Sequence, residues 1–261
     1  MTPTPCWILC TPRTGSSFLC ELLNNLNVFP HYKHPSLKSH KGPLEKGQAF
    51  SEWFRIYDSA ISFVEHVPSF AKVIFHQYIE TFNDLQHKYG TTWDSYLPKH
   101  DKKQTFAIIE QYGTSYIQKI IPDMRFVLLQ RDMISQAVSL YFARETKTYH
   151  IYNQNSLKKY LSNDIPCHHD KLLQAYWDSV EYHEQWTPFL QNVPYLTVNY
   201  EELINDPTNT LHQVLDFLKT KGDPHKSLKA ITDNKRIHRM TRPNSELFCN
   251  TLRSLLKVKM P

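Results

Sequence analysis

Glycine is scarce in this chain, with 6 among 261 residues, and proline is ordinary at 16. Collagen-like and low-complexity architectures are thereby excluded. The five cysteines, Cys6, Cys10, Cys20, Cys167 and Cys249, are odd in number and never spaced C-x-x-C. A disulfide framework is therefore not expected, and a reducing compartment is favoured. Long apolar runs are missing as well. The run Cys6–Cys10 has five residues and Met1–Pro5 carries no basic residue, too little for a signal peptide's core or a bilayer span. The expectation is a soluble cytoplasmic protein. Nor is charge of one sign in large excess: 30 basic against 25 acidic residues give +5 and a pI of about 8.8. That balance suits a small anionic ligand and nucleic acid equally. What the chain does have is apolar and aromatic content, 41% and 13%, enough for a sizeable core. One domain over residues 1–261 is expected.

Neither an internal repeat nor a linker interrupts the chain. The run Cys6–Cys10 ends sharply at Thr11-Pro12-Arg13-Thr14-Gly15 and reads as a buried strand. Phe18, Leu19, Leu22, Leu23 and Leu26 then mark one face of a helix. Further strands are expected at Ala71–Phe75, Arg125–Gln130 and Tyr195–Asn199. Helices are expected over about Gln104–Lys119, after Asp132 as N-cap, over about Asp170–Trp186, from Asp206-Pro207 onward, and over about Ser245–Leu256. The helix after Asp132 should bury Ile134, Ala137, Val138, Tyr141 and Phe142, and the one at Pro207 should bury Leu211, Val214, Leu215 and Leu218. Strands alternating with helices predict an α/β fold with a parallel sheet between helices. The segment 29–67, with three prolines and several histidines, reads as an irregular or helical insertion over the substrate side.

The strand, tight loop and helix at the N-terminus invite comparison with the phosphate loop G-x-x-x-x-G-K-S/T. Cys10 falls on the first Gly position, Gly15 on the second, Ser16 on the Lys position and Ser17 on the Ser/Thr position. The architecture survives, because the amides of Gly15, Ser16 and Ser17 open a helix whose positive end favours an anion. The Lys that would pair with β- and γ-phosphates is missing, and Arg13 supplies charge from within the loop instead. No acidic residue ends the strand at Gln130, where Arg131 follows. A single 5′-phosphate bearing a leaving group suits this loop better than a triphosphate with magnesium.

A second anchor lies at Arg131, at the C-terminal end of a strand, where open α/β sheets bind ligands. Ser139 is eight residues on and Ser135 one turn before it, a stripe read as lying opposite the buried face. A guanidinium binds phosphate oxygens bidentately, and a hydroxyl from the helix completes the grip. Two such grips on neighbouring strand ends suit a nucleotide phosphorylated at both 5′ and 3′ positions.

At these residues the chain resembles the sulfotransferases. Pro12-Arg13-Thr14-Gly15-Ser16-Ser17 is similar to their 5′-phosphosulfate loop, and Arg131 with Ser139 to their 3′-phosphate motif. The stretch Gln130–Ser139, with Arg144-Glu145-Thr146-Lys147-Thr148, looks most like the bacterial trehalose 2-sulfotransferase family. Lys72-Val73-Ile74-Phe75-His76-Gln77 resembles that family's central strand, and Tyr200-Glu201-Glu202-Leu203 followed by Asp206-Pro207 a stretch common to sulfotransferases. The resemblance implies a P-loop-like α/β fold and 3′-phosphoadenosine 5′-phosphosulfate as sulfuryl donor, with no metal. It also implies a hydroxyl acceptor such as a sugar or glycolipid, and a homodimer. It assigns Arg13, Thr14, Gly15, Ser16, Ser17, Arg131 and Ser139 to the donor. The reaction also needs positive charge over the leaving oxygen, and Arg13 is the candidate for that role.

Sulfuryl transfer requires a base for the acceptor's proton. Where the family carries its proposed catalytic Glu, this chain aligns His34, and histidine is a competent base near neutrality. His31, Glu45 and His76 are the alternates. The departure leaves the acceptor open, trehalose included. The basic run Lys235, Arg236, Arg239 and Arg242 is either a solvated loop or, as the resemblance implies for Arg239 and Arg242, a segment closing over the nucleotide. Cys167-His168-His169-Asp170 holds metal-competent groups without the spacing of a site. Two other classes compete with the sulfotransferase reading. A nucleotide kinase lacks its Lys and its acid here. A nucleic-acid-binding protein should carry a recognisable RNA or DNA motif, and none is present.

Overall fold

β1 (Cys6–Cys10) is wholly buried and lies at the centre of a parallel sheet. The computed structural model describes residues 4–26, 51–52, 70–74, 122–149, 154–162, 164–184, 186–234 and 242–259. The insertion at 29–67 (but for residues 51–52), the helix expected over Gln104–Lys119 and the basic run at 235–241 lie outside these residues. Besides β1, the sheet contains β2 (Ser51–Glu52), β3 (Phe70–Ile74), β4 (Arg125–Gln130) and β5 (Tyr195–Asn199), in the order β2-β3-β1-β4-β5. All four pairings are parallel, and β1 is matched by Cys6 to Phe70 on one side and Cys6 to Arg125 on the other.

Two-residue alternation divides the sheet into two apolar faces. Cys6, Ile8, Cys10, Val127, Leu129 and Val198 join one core cluster with Leu19, Leu22 and Leu23 of α1 (Ser16–Asn25). The opposite face holds Trp7, Leu9, Phe126 and Leu128, also buried, with Trp7 and Phe126 edge to face at 6.2 Å. Burial on both sides is why these strands read as continuous apolar runs rather than alternating ones. Each large side chain so buried contributes about 1.5–3 kcal/mol.

Helices begin where local chemistry dictates. Asp132 caps α2 (Met133–Thr146), its side chain accepting the Ser135 N–H at 2.8 Å. After α3 (Gln154–Ser162), α4 (His169–Glu184) stops short of Trp186, which opens the separate α5 (Trp186–Leu190). α6 (Tyr200–Asn205) follows β5 directly, and Asp206 then caps α7 (Pro207–Phe217), with Pro207 in the first turn. As the periodicity predicts, α7 and the residue after it bury Leu211, Val214, Leu215 and Leu218 in the first core. α8 (Pro224–Asn234) repeats the Asp-Pro start, and its buried Ser227 donates to Leu22 O of α1 at 2.5 Å. α9 (Ser245–Lys259) closes a second core, where Tyr141 and Phe142 of α2 meet Phe248 and Leu252. Among the described residues the other expected helices are present, with α3, α5, α6 and α8 in addition.

One expectation is corrected. α2 does not leave a polar stripe opposite its buried face: every residue from Gln136 to Ala143 is buried, Ser139 included. The helix is central, packed against α4 and α9, so periodicity alone misjudges which of its faces meets solvent.

Candidate anion-binding site at the ends of β1 and β4

The loop between β1 and α1 is bent by two left-handed residues, Arg13 at φ 72° and Gly15 at φ 85°. Arg13 occupies that region at a cost, so other contacts must hold it there. Thr14 is fully buried and donates its hydroxyl to Thr11 O at 2.9 Å. Gln136 of α2 donates to Thr11 Oγ1 at 2.7 Å and Pro12 O at 2.9 Å. Trp186 Nε1 donates to Cys10 O at 3.3 Å. His183 of α4 donates from Nε2 to Gln136 Oε1 at 2.9 Å, since the amide oxygen can only accept. Burial pushes the His183 imidazole below its ordinary value, which keeps it neutral.

Gly15 caps α1 without a side chain, so no capping bond covers the helix start. The first-turn N–H groups of Ser16 and Ser17 have no partner within the helix, whereas that of Phe18 turns back to Gly15 O at 2.9 Å, and such a helix start suits an anion. Ser16 and the exposed Ser17 stand on this turn.

Two arginines meet above it. Arg13 Nε donates to Ser139 Oγ at 3.1 Å, and its Nη1 donates to Tyr149 O at 2.5 Å. Arg131 Nη1 donates to Arg13 O at 3.0 Å. The β1–β4 pairing explains the meeting, because Cys10 lies opposite Leu129 and both chains leave the sheet at the same end. Burial pushes the Arg13 guanidinium down from its usual value, and the neighbouring Arg131 adds to this, while Tyr160, Tyr200 and Tyr149 oppose it. A desolvated guanidinium gains more from an anion than an exposed one does.

A third arginine reaches the same neighbourhood. Arg242, 4% exposed, donates to Tyr160 O and lies 5.1 Å from the Tyr160 ring and 5.4 Å from that of Phe142. Burial raises the Tyr160 phenol, while Arg13, Arg242 and Arg131 pull it back. The solvated-loop reading of the basic run therefore does not hold for Arg242.

Arg13, Thr14, Gly15, Ser16, Ser17, Arg131 and Ser139 are thus gathered at one end of the sheet. Ser139 is turned onto Arg13 rather than outward, and the Ser135 amide serves the cap of α2. His34, His31, Glu45, His76 and Arg239 lie outside the described residues. Sequence reasoning assigned no role to Gln136, Tyr160, His183 or Tyr200; Gln136 and Tyr200 stand inside quoted motifs, which was the available signal. Among the described residues no group of His, Cys, Asp and Glu side chains is arranged to hold a metal ion. Nor is any helix among them long and apolar enough to cross a membrane.

A family model described as "Sulfotransferase family" matches residues 5–224, most of the chain and both anchors. The chain belongs to the sulfotransferase family. None of the curated proteins is significantly similar to it in sequence. Among solved structures it is similar to the sulfotransferase domain from the curacin biosynthetic pathway, at 18% identity and a TM-score of 0.36, covering 99% of each chain. It is also similar to a sulfotransferase from Mycobacterium avium, at 12% identity and a TM-score of 0.44, covering 100% of this chain and 78% of that one. A third is a sulfotransferase from Alicyclobacillus acidocaldarius, at 12% identity and a TM-score of 0.42, covering 99% and 96%.

Proposed function

We propose that the protein transfers the sulfuryl group of 3′-phosphoadenosine 5′-phosphosulfate to a hydroxyl of a carbohydrate, glycolipid or other small metabolite. The observation that carries this reading is the pair of bonds joining Arg13 to Ser139 and Arg131 to Arg13 O, which makes one site of two anion anchors. The donor's chemistry fits the residues present. The loop that would hold its 5′ end has a helix start without a capping side chain, and the half-buried guanidinium groups of Arg13 and Arg131 stand beside it. Ser139 Oγ accepts from Arg13 and still has its own hydrogen to donate to a phosphate oxygen.

In the proposed reaction the acceptor oxygen attacks sulfur as the bond from sulfur to the 5′-phosphate oxygen breaks. The electron pair goes to that oxygen, and the acceptor's proton to a base. Arg13 covers the leaving oxygen, where negative charge develops. The amides and hydroxyls of Thr14, Gly15, Ser16 and Ser17 serve the 5′-phosphate side, and Arg131 with Ser139 the 3′-phosphate. Arg239 and Arg242 complete the nucleotide's enclosure. The base is His34, with His31, Glu45 and His76 as the alternates. The protein works in the cytoplasm, as a homodimer.

Thermal unfolding with 3′-phosphoadenosine 5′-phosphate, AMP and ATP–magnesium tests the reading. The bisphosphate at a hundredfold excess over its dissociation constant should stabilise the protein by about 2.7 kcal/mol, with AMP far behind. An equal shift with AMP removes Arg131 and Ser139 from the 3′-phosphate, and a preference for ATP–magnesium favours a kinase instead.

A further inference from the structure

Tyr200 and Glu201 open α6 at the C-terminal end of β5, and the reaction as written uses neither. The parallel register matches Gln130 with Asn199, so the next residue on each strand, Arg131 and Tyr200, also comes out side by side. The Arg131 guanidinium carbon lies 4.5 Å from the centre of the Tyr200 ring. The same ring touches the phosphate loop: a Cβ added at Gly15 would run into its Cδ2 and Cε2 atoms. One aromatic ring therefore rests against both anion anchors. Beside it, the Glu201 carboxylate accepts the Asp132 N–H at 3.2 and 3.3 Å and stands 4.0 Å from Arg131 Nε.

We propose that Tyr200, backed by Glu201, is a positioning residue that fixes the plane of Arg131 and holds the phosphate loop in register with it. An aromatic face orients a guanidinium by stacking and cation–π attraction without occupying its N–H donors. With its plane so fixed, Arg131 donates Nη1 to Arg13 O, and the ring face takes up none of the N–H groups that would meet a phosphate. A carboxylate in full contact would orient it equally well but compete with that phosphate. At 4.0 Å, with Asp132 N–H as its hydrogen-bond donor, Glu201 balances charge at a distance instead.

The inference rests on the nucleotide reading above, and titration calorimetry on the full chain separates the two. With 3′-phosphoadenosine 5′-phosphate as probe, Tyr200→Leu should weaken binding about tenfold while Tyr200→Phe stays within about twofold. In Tyr200→Leu/Arg131→Ala the loss should fall well short of the product of the single losses, because the ring acts largely through Arg131. Should leucine prevent folding, as judged by thermal unfolding, Tyr200→Met fills the same space with a flexible chain and makes the same test. Wild-type affinity in Tyr200→Leu, or losses that multiply fully, overturns the positioning role. Failure of the wild-type protein to bind the bisphosphate overturns the nucleotide reading and this inference with it.

Discussion

Arg13 and Ser139 stand 126 positions apart and share a hydrogen bond of 3.1 Å, Arg13 Nε donating to Ser139 Oγ. The residue assigned to the 5′ end of the nucleotide is thus tied to one assigned to its 3′-phosphate, and one cannot be removed without disturbing the other. Ser139→Ala deletes the acceptor of a half-buried, charged donor and should cost about 1 kcal/mol of stability, read by urea denaturation. Bisphosphate affinity and turnover should both fall. Turnover at the wild-type level in Ser139→Ala would show that this bond does not hold Arg13 in its working position.

Arg131→Ala should lower nucleotide affinity by more than Arg13→Ala, and Arg13→Ala should chiefly slow turnover. Arg131 is assigned to a phosphate unchanged by the reaction, Arg13 to charge that develops as the leaving oxygen departs. Interactions shared by ground and transition states register in affinity, and those specific to the transition state in rate. Calorimetry paired with single-turnover rates separates the two. Equal affinity losses with no separate loss of rate would end that division of roles.

Much of this site was legible in the chain, for local reasons. Cys6–Cys10, Arg125–Gln130 and Tyr195–Asn199 are strands with the expected bounds, because short apolar or β-branched runs ended by turn residues carry their own limits. Asp132 and Asp206-Pro207 start helices as expected, since a cap is a contact between near neighbours. Ser139 was misplaced because a central helix buried on all sides breaks the rule that polar stripes face water. Gln136 holds Thr11 across 125 positions, and Tyr200 meets Gly15 and Arg131 only through strand register. No local pattern encodes contacts of that range. The second Asp-Pro pair, Asp223-Pro224, starts a helix on an equally local signal, Asp223 Oδ1 accepting the His225 N–H at 3.0 Å.

Gly15 combines a left-handed backbone with a close neighbour. At φ 85° any other L-residue is strained, and a Cβ there meets the Tyr200 ring. Gly15→Ala should therefore cost roughly 1–3 kcal/mol from the backbone alone, and displacement of the ring should weaken bisphosphate binding too. Gly222→Ala is the control: its Cβ would lie 3.3 Å from side-chain atoms of Leu215 and Leu26, with no left-handed φ to strain it. Chemical denaturation should rank Gly15→Ala as the more damaging, and a reversed ranking would count against the loop geometry.

His183 makes stability depend on pH in a direction that can be worked out. Its Nε2–H donates to Gln136 Oε1, and Gln136 in turn holds Thr11 and Pro12 of the loop. Nε2 carries a hydrogen whether the ring is neutral or charged, so protonation leaves that bond intact; what opposes the charge is burial, which sets the folded value below the usual 6.5. Above about pH 6.5 neither folded nor unfolded His183 is charged, and its contribution to stability is fully present. As pH falls below that, the unfolded chain takes up a proton that the folded protein refuses, and stability drops until the lowered folded value is reached. One such proton changes stability by at most about 1.4 kcal/mol per pH unit. His183→Gln keeps a donor for Gln136 and cannot titrate. Melting temperatures between about pH 5 and 7 should therefore fall less steeply for His183→Gln than for the wild type. Parallel curves would mean that some other group sets the acid limb.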